Sequence, residues 1–135
     1  MTDYLSVGDI LALHAEVMGR LGRWPSRLLN EDGLSAEVHR PRAAEHYEGA
    51  DLIRQAAILA VRIAQLRPFG DGNLPTAFAA TETFLRLNGL ALRTGQAMNL
   101  ARLLRLLSEE HDPDEATEQF EMRLRTIVGP EHDTA

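Results

Sequence analysis

The segment from Leu52 to Leu66 restricts most tightly how this chain can fold. It is apolar almost all the way round a helix, interrupted only by Arg54, Gln55, Arg62 and Gln65, and it carries alanines at 56, 57, 60 and 64. A helix with one apolar stripe lies on a surface, whereas one apolar on most faces needs neighbours on several sides. At this length, and with those polar interruptions, it does not suit a bilayer span. The pattern therefore predicts a buried central helix, started by Asp51 as N-cap, with small residues letting other helices approach. A chain of 135 residues has room for one such domain.

Elsewhere the apolar residues recur at three- and four-residue spacing, and strand alternation is nearly absent. Ser6 and Asp9 read as an N-cap and its N3 partner ahead of Val7, Ile10, Leu13, His14, Val17 and Leu21. Residues from Gly22 through Trp24-Pro25 to Asn30-Glu31-Asp32-Gly33 read as the longest irregular stretch. A short helix is expected over Leu34 to His39, ended by Pro41. Further helices are expected from Leu74 or Pro75 to Asn88, from Gly95 to Glu110 and from Pro113 to Val128. Asn88-Gly89 supplies a C-cap for the first of these, and Asp112 with Glu115 starts the last. Leu90-Ala91-Leu92 is a brief extended piece. The expectation is an all-α, compact single domain over residues 1–135, a bundle of about six helices, with only the last six or so residues frayed.

Composition removes whole classes of chemistry. There is no cysteine, so thiolate metal sites, iron–sulfur clusters, disulfides and cysteine nucleophiles are excluded. All 14 basic residues are arginine, which excludes Schiff bases, a P-loop lysine and a lysine general base. A net charge of −6 argues against nucleic acid as a partner, although a local patch is compatible with it; Arg40 and Arg42 near His39 form a small basic patch that reads as solvated surface. The start of the chain carries no basic leader and apolar core, so the expected location is cytoplasmic, with no membrane association. The five histidines, at 14, 39, 46, 111 and 132, form no pair at metal-binding spacing. His14, on the apolar stripe of the first helix, reads as a core or boundary histidine, and Trp24 as a cover over the core. Leu100, Leu103, Leu104, Leu106 and Leu107 are dense enough for core packing, with a partner surface as the alternative.

Chemistry, if present, belongs to the loop Phe69-Gly70-Asp71-Gly72-Asn73. It joins the most buried helix to the next, its two glycines permit a concavity of backbone N–H groups, and Asn73 can cap the helix that follows. A glycine loop feeding a helix N-terminus is suited to an anion, because unpaired amides and the helix dipole act in the same direction. Asp71 could hold a magnesium ion bridging phosphates. The other reading of the same residues is a tight interhelical turn with an Asx cap, and spacing alone leaves both open.

The stretch Arg67-Pro68-Phe69-Gly70-Asp71-Gly72-Asn73-Leu74-Pro75-Thr76-Ala77 resembles the signature of the Fic/Doc (Fido) family, which in the Doc (death-on-curing) branch reads H-x-F-x-D-[AG]-N-K-R-T. Asp32-Gly33-Leu34-Ser35-Ala36-Glu37 with Arg40-Pro41 resembles a second family segment, and Phe84-Leu85-Arg86-Leu87-Asn88-Gly89 matches its F-L-x-x-N-G. The resemblance covers roughly residues 4 to 110. It implies an all-helical domain that transfers part of a nucleoside triphosphate to a protein hydroxyl: AMP in Fic proteins, a phosphate in Doc toxins, whose target is a translation factor and whose neutralising partner is an antitoxin. It also implies that ATP and Mg²⁺ are the cofactors. Gly70, Asp71, Gly72, Asn73 and Thr76 stand at the family's phosphate-binding positions, with Asp71 at the metal position.

Three positions depart from the family pattern. Arg67 occupies the place of the catalytic histidine, and Leu74 and Pro75 occupy those of the phosphate-binding basic residues. An arginine stays protonated and cannot accept a hydroxyl proton. Loss of a general base costs about 10²–10⁴ in rate, and Pro75 also removes an N–H from the first helical turn. The resemblance thus implies a Doc-like protein with impaired transfer. The alternatives are an active toxin using a substitute base, with His39 or His46 as candidates, or a non-enzymatic binding or regulatory module. The family's self-inhibitory motif is missing, Ala44 standing where Ser or Thr is needed before Glu48-Gly49, so any inhibitor would be another chain.

Overall fold

The structure, a computed structural model, describes residues 1–131. Six helices carry the fold: α1 (Val7–Arg20), α2 (Glu31–Glu48), α3 (Leu52–Leu66), α4 (Asn73–Leu87), α5 (Ala97–Leu107) and α6 (Pro113–Ile127). Two short strands, β1 (Leu90–Leu92) and β2 (Val128–Pro130), pair antiparallel, with Ala91 opposite Gly129. The all-α expectation holds, and among the described residues no helix is long and apolar enough to cross a membrane.

The apolar segment is the centre of the bundle. α3 packs against α2, α4, α5 and α6, and Ala56, Ala57, Ala60, Val61 and Ile63 have no exposed surface. The alanines set its close approach to α4 and α6, where Ala77, Ala80, Phe84, Ala116 and Phe120 complete the core. Asp51 caps α3 as expected, accepting from Arg54 N–H at 3.0 Å. Its carboxylate also takes two bonds from Arg125 on α6, at 2.8 and 3.1 Å. Glu121 receives Arg54 at 2.7 Å and Arg125 at 2.7 Å, so charge-assisted bonds clip α3 to α6 at the edge of the core.

Two expectations need correction. The second helix does not stop at Pro41 but runs from Glu31 to Glu48, capped by Asn30, whose side chain accepts from Gly33 N–H at 2.9 Å. Proline removes one helical donor, but Leu34, Val38, Pro41 and Ala44 continue a single buried stripe through it. Burial of that stripe on both sides of the proline offsets the missing bond. Gly49, at φ 66°, then ends the helix in the left-handed conformation. Trp24 does not cover the core: it is 89% exposed. The leucines of α5 divide as its periodicity requires, with Leu100, Leu104 and Leu107 buried and Leu106 in solvent. Of the residues expected to fray, Pro130 and Glu131 are held, the latter by its N–H on Gly89 O at 3.0 Å, and 132–135 lie outside the described residues.

The α3–α6 clip has a pH signature. The bonds from Arg125 hold the Asp51 carboxyl below its usual range; burial acts the other way on it. For Glu121, burial pushes the carboxyl up, and the bonds from Arg54 and Arg125 outweigh it and leave it lowered. Both groups therefore add stability above the ordinary carboxylate range, and that stability is lost as pH falls through their lowered values. Asp51→Asn keeps the cap but removes the charge, so it should flatten the acid limb of a urea-midpoint-versus-pH curve and cost about 0.5–1 kcal/mol at neutral pH. An unchanged acid limb would show that the clip contributes nothing.

Candidate functional site

The loop at 67–76 is built by groups the sequence does not bring near it. Phe69 is buried and stacks face to face on the His14 ring, with centroids 3.8 Å apart and planes 3° from parallel. Residues 27–29 run antiparallel beside it: Leu29 N–H donates to Pro68 O at 2.7 Å and Gly70 N–H to Arg27 O at 2.9 Å. Ser26 closes the strap. Its hydroxyl donates to Asp71 O at 2.9 Å and accepts Asp71 N–H at 3.1 Å.

His14 ties these parts together. Its Nε2 accepts the backbone N–H of Ser26 at 3.1 Å and lies 2.8 Å from the Ser26 hydroxyl; the backbone bond favours the neutral tautomer with the proton on Nδ1. Nδ1–H then donates to the buried Thr76 hydroxyl at 2.9 Å. Burial holds the imidazole below its ordinary pKa, and the nearby Asp71 charge opposes this only in part. The core role read for His14 holds, with a further consequence: it links α1, the strap and the start of α4.

The loop amides are already occupied. Phe69 N–H donates to Asn73 Oδ1 at 2.9 Å, Gly70 N–H to Arg27 O, Asp71 N–H to Ser26 Oγ, and Gly72 N–H to Asp71 Oδ1 at 2.8 Å. Asn73 returns its amide to Phe69 O at 2.9 Å, so it closes the loop and does not cap α4. The N-cap is Gly72, at φ 76° and without a side-chain cap bond. A Cβ there would stand 2.6 Å from Met18 Sδ, so both conformation and space demand glycine. The first free donors are the N–H groups of Asn73 and Leu74, which find no acceptor among the described residues.

Over the loop lies a cleft of about 370 Å³, bordered by Arg23, Arg67, Asp71, Pro75, Arg105 and Glu109 among others. Arg67 ends α3 in the left-handed conformation at φ 52°, the only non-glycine residue with positive φ among those described. Its guanidinium and that of Arg105 make no hydrogen bond or ion pair there, whereas Arg23 bonds Asp71 Oδ2 at 3.0 Å. Leu74 and Pro75 border this cleft and also an apolar groove of about 570 Å³ beside it. Gly70, Asp71, Gly72 and Asn73 thus share the cleft, while Thr76 lies behind the loop on His14. Neither His39, bonded to Ser35 O at 2.8 Å, nor His46 borders the cleft. The Arg40–Arg42 patch is also engaged: Arg40 chelates Glu37 and Arg42 lies 4.7 Å over the Tyr4 ring.

The Fic/DOC family model matches residues 4–85, more than half of the chain. The chain belongs to the Fic/DOC family. A comparison with curated proteins gives no significant match. Seen as a Fic/DOC loop, the structure divides the family signature in two. Phe69, Asp71, Gly72, Asn73 and Thr76 build the loop through the bonds above, while Arg67, Leu74 and Pro75 all border the cleft. Arg23, Arg105, Ser26 and the linking role of His14 were not readable in advance. They come from α1, the 21–30 segment and α5, which only packing brings to residues 67–76.

Because His14 is buried neutral, its lowered pKa makes the unfolded chain the better proton acceptor. The stability it contributes is complete above the ordinary histidine range and declines as pH falls from there toward the folded-state value. His14→Gln should remove that part of the stability slope between about pH 5 and 7. Ser26→Ala should cost about 1–2 kcal/mol by leaving Asp71 N–H and O unpaired. A urea series over pH measures both, and an undiminished slope in His14→Gln would contradict this placement of the imidazole.

Proposed function

We propose that this Fic/DOC protein is a Doc-like member, related to toxins of toxin–antitoxin pairs, whose group-transfer chemistry is strongly impaired and which retains an anion-binding cleft. The observation that carries this reading is that no histidine borders the cleft and that the motif position holds an arginine. Its charged residues are three arginines and two carboxylates, Asp71 and Glu109. Arg67 stays protonated in the motif position, and His14 spends both ring nitrogens on Thr76 and Ser26. The missing base removes about 10²–10⁴ in rate, and apolar side chains at 74 and 75 remove charge where phosphoryl transfer depends on it.

A nucleotide phosphate fits the donors present: Asn73 and Leu74 N–H at the start of α4, with the guanidiniums of Arg67 and Arg105 on the same cleft. Magnesium fits poorly. Asp71 is the loop's one carboxylate, and its oxygens take Gly72 N–H and the Arg23 guanidinium, a cation where the metal would stand. The proposed role is a cytoplasmic binding or regulatory one toward an antitoxin-like partner or a protein target, a translation factor by family likeness.

Two assays address this reading. Incubation with γ- or α-labelled ATP, Mg²⁺ and translation factors should give no labelled protein, and Arg67→His alone should not restore labelling, since Leu74 and Pro75 remain. Robust transfer by the natural chain would overturn the proposal. Calorimetry should show ATP binding that magnesium does not strengthen; a tenfold or greater gain with the metal would show that Arg23 yields Asp71 to it.

A further inference from the structure

The replacements at 74 and 75 do more than remove charge. Leu74 and Pro75, with Leu21 and Arg105, border both the polar cleft and the larger groove, so the two adjoin along these residues as a trough. The groove, between the end of α1, α4 and α5, is lined by Val17, Leu74, Phe78, Ala79, Ala101 and Leu104 among others, and its volume of about 570 Å³ suits a small organic molecule. Arg105, without an ion-pair partner, stands where the apolar part meets the cleft. Arg20, tied to Glu16, and Arg102 lie on the groove's rim. At the other side Glu82 is half-buried without a hydrogen-bond partner, and burial raises its carboxyl while Arg86 and Arg20 counter this.

We propose that the trough binds an amphiphilic anion: a phosphate or carboxylate head at Arg105, Arg67 and the start of α4, and a hydrocarbon body along Leu74, Phe78 and Leu104. This rests on the anion-binding part of the function proposed above and goes beyond it, because the donors named there hold only a phosphate and leave the apolar groove unused. The geometry favours such a ligand over a purely polar one. Apolar surface at 74 and 75 gives a polyphosphate no partner, but it extends the floor on which a hydrocarbon chain loses contact with water.

Calorimetry with ethyl, butyl and hexyl phosphate, each below its micellar range, tests this, with hexanoate as the carboxylate arm. Affinity should rise about fourfold per added methylene. Ala101→Trp, an exposed position on α5 bordering the groove alone, should abolish the gain with chain length and leave ethyl phosphate unchanged. Arg105→Gln should weaken every member of the series at least tenfold. If ethyl phosphate binds and lengthening it changes nothing, the groove is not part of the site, and this inference fails while the anion cleft stands. If no phosphate binds, or Arg105→Gln has no effect, the cleft itself fails. Tighter binding of hexanoate than of hexyl phosphate identifies a carboxylate as the natural head; the reverse order identifies a phosphate.

Discussion

His14 is held toward the neutral form, because burial disfavours the imidazolium and its Nε2 accepts a backbone N–H. That one ring positions three parts of the chain. Through Thr76 it sets the first turn of α4, through Ser26 it holds the strap against Asp71, and through its face it seats Phe69. At Gly72 the chain turns in the left-handed conformation, and a Cβ there would press on Met18 Sδ and the His14 ring, so both features favour glycine. The shape of residues 67–76 is therefore a property of the packed chain and needs no ligand to create it.

That independence separates the residues that shape the loop from those that border the cleft. The bonds that hold it use Asn73, Asp71, Thr76 and the amides of Phe69 to Gly72, all internal to the protein. Positions 67, 74 and 75 contribute little to this lattice. Arg67 makes only the backbone bond that ends α3, and the side chains of Leu74 and Pro75 lie on the cleft wall. Changes there leave the scaffold standing and alter what it can hold. The result is a cleft with arginines from α3 and α5 beside an apolar groove.

Much of the fold was legible because its strongest features are local. The near-uniform apolarity of 52–66 demands a central helix, and Ser6, Asp51 and Asp112 each mark a helix start by their own side-chain chemistry. Pro41 misleads for the opposite reason: its local penalty is real, but burial of Leu34, Val38 and Ala44 across it is a tertiary effect. The site was legible only along the chain. The glycine loop was visible, but whether its amides were open depended on Ser26 and Arg27, more than forty residues away, and on a backbone pairing with no motif of its own. Arg105 looks in sequence like any solvated arginine beside a buried leucine. Its place over the loop follows from how α5 lies against α3 and α4.

Amide hydrogen exchange resolved by NMR, before and after addition of inorganic phosphate, measures this account most directly. The amides of Phe69, Gly70, Asp71 and Gly72 should be protected in the free protein and keep their shifts when phosphate is added, while those of Asn73 and Leu74 exchange freely and then move. Rapid exchange of the four loop amides in the free protein, with protection only when phosphate binds, would contradict it by showing that the anion, and not His14 with its strap, builds the loop.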